Sequence, residues 1–160
     1  MTTTNSMLIR TLTHNPEWLL EHGKYWIGDL CYVLKSKWGK IIEAIVIDNR
    51  VEDGFFKLPD GTEFVMFGTK YGDGNYSSSI CVDFSVDSGT IGIVPFDQIK
   101  DLGLDFDWIN MLGHTVDFEK KFWVKNQDDG TMRFGHVYIY TGSDSDYDKD
   151  DDNDDDDDYC

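Results

Sequence analysis

Apolar and polar positions alternate strictly along Ile80-Cys81-Val82-Asp83-Phe84-Ser85-Val86. A period of two puts Ile80, Val82, Phe84 and Val86 on one face of a half-buried strand, with Cys81, Asp83 and Ser85 on the other. Two further stretches read as strand pairs around short glycine turns. They are "FFKL-PDG-TEFVMF" at 55–67 and "KFWVKNQ-DDG-TMRFGHVYIY" at 121–140. Runs separated by so few turn residues favour antiparallel pairing. Residues 25–34, "YWIGDLCYVL", are aromatic and apolar nearly throughout. They predict a buried strand kinked at Gly28-Asp29, with Cys31 as a packed thiol.

Three segments carry a helical signal instead. Asn15-Pro16-Glu17 offers a cap, a proline at the first helical position and an acid, with Trp18, Leu19 and Leu20 behind them and Gly23 as a stop. Trp38, Ile41, Ile42, Ile45 and Val46 recur at helical spacing and predict the main amphipathic helix, about residues 37–47. Phe96, Ile99 and Leu102 predict a short third element after Pro95, and 104–113 is open between a helical turn and a loop. The fold class expected is α+β: a twisted, mainly antiparallel sheet whose apolar face is covered by that one main helix, with short extra helices.

Composition divides the chain. Its net charge is −17, and residues 143–160 hold eleven Asp and one Lys, whereas residues 1–142 hold twenty acidic and thirteen basic side chains. A tract that repels itself and buries nothing cannot offset its ordering entropy, so 143–160 is expected to be a disordered tail. The body, residues 1–142, keeps all five Trp and all ten Phe and is expected to be one globular domain. No Lys/Arg cluster and a negative body argue against nucleic-acid binding. No apolar run approaches a membrane span, the start "MTTTNSMLIR" lacks a signal-peptide pattern, and three cysteines suit a reducing compartment. A soluble, cytoplasmic protein is expected.

The candidate chemistry centres on aspartates. Asp87-Ser88-Gly89-Thr90 reads like an aspartic-protease loop, but that reaction needs two carboxylates sharing one proton. With a single D-[ST]-G, only a dimer could supply them. The chain also repeats x-Gly-Thr before strand-like runs at Asp60-Gly61-Thr62 and Asp129-Gly130-Thr131. Glycine supplies the positive φ of a tight turn, so "SVDSGTIG" is read first as a hairpin turn. The loop "TKYGDGNYSSS" (69–79) sets Gly72-Asp73-Gly74 between Tyr71 and Tyr76, as a binding loop or cation site on one reading and a packed β-loop on the other. Four single histidines (14, 22, 114 and 136) give no zinc pattern, and no G-x-S-x-G elbow or EF-hand loop is present. No cofactor is implied beyond weak, diffuse binding of divalent cations by the tail.

Three blocks, "YWIGDLCYVL…W", "FGTKYGDGNY" and "VDSGTIGIVP", occur in that order. Together they resemble a family of uncharacterised small proteins from phages, large DNA viruses and bacteria, over about residues 24–97. Leu30 stands where that pattern usually has proline, which would hold Asp29 extended. The resemblance implies that Asp29, Tyr71, Gly72, Asp73, Asp87 and Gly89 matter as a group, either as fold-specifying turns or as one carboxylate site for a metal or polar ligand. It also implies a host-cytoplasmic setting if the protein is viral.

Two functions follow as expectations. The first is a non-enzymatic interaction or accessory protein whose partner is a protein, with a basic surface as one candidate. The alternative is a hydrolase using an Asp87 dyad in a dimer, or a metal held by Asp29, Asp73 and Asp87. Oligomeric state cannot be read from the sequence.

Overall fold

The computed structural model describes residues 9–11, 17–39, 41, 54–58, 61–127 and 129–142. Among them, twelve strands form three antiparallel sheets. The largest has six strands in the order β1 (Ile9–Thr11), β4 (Gly54–Lys57), β5 (Glu63–Gly68), β8 (Thr90–Pro95), β3 (Gly23–Gly28) and β9 (His114–Phe118). The second has four: β12 (Val137–Tyr140), β11 (Thr131–Phe134), β10 (Phe122–Asn126) and β2 (Glu17–Leu20). A small pair, β6 (Gly74–Tyr76) and β7 (Phe84–Val86), forms the third.

The six-stranded sheet is the middle of three layers. Its central strands are buried on both faces, through Tyr25–Gly28, Phe64–Phe67 and Thr90–Val94. That is why they read as unbroken apolar runs rather than alternating ones. The pleat sorts them. Tyr25, Ile27, Val65, Phe67, Ile91 and Ile93 face the four-stranded sheet and meet Val124, Met132, Phe134 and Ile139. Trp26, Phe64, Met66 and Val94 face the opposite way, onto Leu30, Leu34, Ile41, Ile99 and Ile109 from the helical layer. Each such fully buried side chain contributes about 1.5–3 kcal/mol of transfer free energy. Gly92 in mid-β8 opens the space that Leu30 fills, since a Cβ there would lie 2.7 Å from Leu30 Cδ1.

The hairpins around Gly61 and Gly130 are present as expected, with φ of +96° and +91° at those glycines. Elsewhere the structure revises the sequence reading. Glu17–Leu20 is not helical; it pairs with β10, Trp18 opposite Val124. Pairing and burial of Trp18 and Leu20 outweigh the local helix signal. The run 80–86 forms a strand only over Phe84–Val86, because Cys81 takes a φ of +64° in a turn before it. Residues 25–34 are strand only to Gly28, then a 3-10 turn, Leu30–Tyr32. The element after Pro95 is likewise a 3-10 turn, Phe96–Gln98. The long arm 131–140 is two strands, because Gly135 (φ +64°) turns the chain back between them.

The helical layer is composite. Residues 35–39 and 41 are helical (α1), with Ile41 buried and Trp38 packed on the same cluster. The remainder of the expected main helix, and the Asp-rich segment 143–160, lie outside the described residues. The undecided stretch 104–113 is a true helix, α2 (Phe106–Leu112), capped by the Asp105 side chain. Among the described residues Cys31 is a free thiol. No described helix is long and apolar enough to cross a membrane.

Candidate functional site

All three sequence blocks meet at one end of the six-stranded sheet, where Asp29 joins the first to the third and the Thr69 amide joins the second to Gly89 of the third. The Asp29 backbone is extended (φ −75°, ψ 112°), the conformation a following proline would have imposed, although Leu30 follows instead. The side chain caps the 3-10 turn after β3 and is fully buried. Both carboxylate oxygens are doubly engaged. Oδ1 accepts from the Cys31 amide at 3.0 Å and the Ser88 hydroxyl at 2.8 Å. Oδ2 accepts from the amides of Asp87 and Ser88, each at 2.7 Å. A buried carboxylate is tolerated when its lone pairs are filled in this way.

The proton order beyond it follows from counting donors. Ser88 has one hydroxyl proton and gives it to Asp29, so in the 2.7 Å contact with Thr90 Oγ1 the threonine must donate. Thr90 is buried and its amide also points at Ser88 Oγ, at 3.3 Å. Asp29, Ser88 and Thr90 thus form a closed internal network.

The turn Asp87-Ser88-Gly89 is not the hairpin the sequence suggested. It carries the chain from β7, in the small sheet, into β8 at the centre of the large one, and those strands do not pair. Gly89 does take the expected positive φ, +80°. Its carbonyl accepts from the Thr69 amide at 3.0 Å, which docks the Tyr71–Asp73 loop onto it. Within that loop the Gly72 carbonyl accepts from both the Thr69 hydroxyl (2.7 Å) and the Tyr76 hydroxyl (2.8 Å). A Cβ on Gly89 would sit 3.9 Å from Asp73 Oδ1.

The four residues singled out from the sequence therefore fall into two groups. Asp29 is interior and consumed by the protein. Tyr71 (54% exposed), Asp73 and Asp87 are at the surface around the same loops. Among the described residues, no group of three or more His, Cys, Asp or Glu is placed to hold a metal ion. Burial, then the charge of His136, lowers the pKa of His114.

The local field is strongly negative. Burial, then the Asp29 carboxylate and the charges of Asp87 and Asp73, push the Cys31 thiol far up, so it is protonated and a poor nucleophile at neutral pH. Burial, then Asp87 and Asp29, push the Tyr32 hydroxyl up to about 12. Tyr32 was not singled out from the sequence, nor were Ser88 and Thr90; the only signal for the last two was the Ser-Gly-Thr turn itself. Tyr32 also packs edge-on against Trp108 of α2, ring centres 5.7 Å apart. Comparison of the chain with family models, curated proteins and solved structures found no match.

Proposed function

We propose that this protein is a non-enzymatic interaction module that engages a basic surface on a partner protein. The observation that carries this reading is the division of labour among the aspartates. The interior one, Asp29, spends every acceptor on holding two loops together, and Asp87 and Asp73 present theirs outward beside the exposed ring of Tyr71. Carboxylates beside an aromatic face suit Lys and Arg side chains, by charge and by cation–π attraction. The net charge of −17 adds long-range attraction toward such a partner.

The hydrolase alternative draws less support. Its metal form needs Asp29 as a ligand, and that carboxylate already has four protein donors. Its dimer form needs two copies of Asp87 brought together on a loop whose amides are turned inward to Asp29.

A short peptide of Lys, Arg and Ser, titrated at low and physiological salt, tests the proposal. D73N/D87N in the full chain is expected to weaken binding about three- to tenfold and flatten the salt dependence. Unchanged affinity in that double variant would remove the loop end from the interaction.

A further inference from the structure

The acidic loop end borders an apolar ledge that the core does not use. Helix α2 lies beside β7 and buries only Ile109, leaving Trp108 41% and Met111 73% exposed. The two are one helical turn apart and so share a face. An open cavity of about 300 Å³ runs alongside, lined in part by Trp108, Leu102, Leu104 and Val33. The Lys35 ammonium already lies over the Trp108 ring at 5.3 Å, so the indole face accepts a cation in this setting. Tyr32 joins ledge and loop end: its ring touches Trp108, and its hydroxyl lies in the field of Asp87, Asp29 and Asp73.

From this juxtaposition we infer that the Trp108–Met111 ledge and the Asp73–Asp87 rim form one docking surface for an amphipathic, basic protein segment, which seats apolar side chains on the ledge and Lys or Arg side chains on the rim. The inference rests on the proposed function and specifies its partner. Charge complementarity selects the occupant. An acidic segment would meet like charge at Asp73 and Asp87, and a purely apolar one would leave them unpaired beside it. A purely basic one would leave Met111 and Trp108 in water.

Opposite expectations separate this surface from plain charge attraction. Met111→Glu adds a negative charge at an exposed helix position. If attraction to the acidic chain is all that acts, the variant binds an amphipathic Lys/Leu peptide as tightly as the parent or more so. If the ledge seats apolar side chains, it binds about tenfold more weakly despite the added charge. The measurement is fluorescence anisotropy of the labelled Lys/Leu peptide and of the Lys/Arg/Ser peptide on the full chain. Weaker binding of the first with no loss for the second is the expected result. Equal or tighter binding of the Lys/Leu peptide overturns the ledge, while the response of the Lys/Arg/Ser peptide to D73N/D87N judges the rim separately. Met111→Ser, which adds no charge, is expected to weaken the Lys/Leu peptide in the same direction; no loss there also overturns the ledge.

Discussion

Asp29 and Asp87 sit on adjoining loops, yet the protein uses opposite ends of the two residues. Asp29 works through its side chain, buried and bonded to three amides and a hydroxyl. Asp87 works through its backbone amide, and its own carboxylate is left at the surface. The difference teaches that an aspartate beside a glycine turn need not be there for its acidity. At position 29 the fold requires a carboxylate of this length. At position 87 it requires only an amide held at the right angle, and the side chain remains available for binding.

Three substitutions sharpen that contrast. Asp29→Ala leaves three amides without an acceptor in the interior and is expected to destabilise the fold by about 3–5 kcal/mol, read by chemical denaturation. A loss below about 1 kcal/mol would mean the network relaxes freely. Ser88→Ala removes one donor to Asp29 and orphans the Thr90 hydroxyl, for an expected cost of about 1–2 kcal/mol in the same assay. Asp87→Asn keeps the backbone amide and should change stability by less than about 0.5 kcal/mol, which leaves its effect on peptide binding interpretable. A large loss there would erase the distinction between the two residues.

The same contrast shows what could be read in advance. The Pro-Asp-Gly and Asp-Asp-Gly hairpins were legible because their turn chemistry is local. The two-faced burial of β3, β5 and β8 is foreshadowed by apolar runs, though not which layers cover them. Glu17–Leu20 misled because four residues satisfy a helical and a strand pattern equally well, and the pairing of Trp18 with Val124 decided the matter from over a hundred residues away. The grouping of Asp29, Asp73 and Asp87 was suggested by the block resemblance. Periodicity alone could not join Asp29 to an amide 58 residues distant, nor say which carboxylate would turn inward. The exposure of Trp108 and Met111 was hidden for a related reason: a seven-residue helix that buries one side chain has too weak a stripe to announce itself.

The placement of β8 between β5 and β3 also sets an order of assembly. The β4–β5 hairpin and the β10–β11–β12 meander close over short loops and can form early. Seating β8 against β3, and Asp29 against the turn that precedes β8, must first close a loop of 58 residues, an entropic toll of roughly 3–4 kcal/mol by the logarithmic law. That joint does not build the rim: Asp73 and Asp87 flank the β6–β7 pair, next to Gly74 opposite Val86, so a closure of about a dozen residues already sets them side by side. What the long closure adds is anchorage: Asp29 then holds the amides of Asp87 and Ser88, and a rim arranged by a local hairpin becomes fixed to the end of the middle sheet.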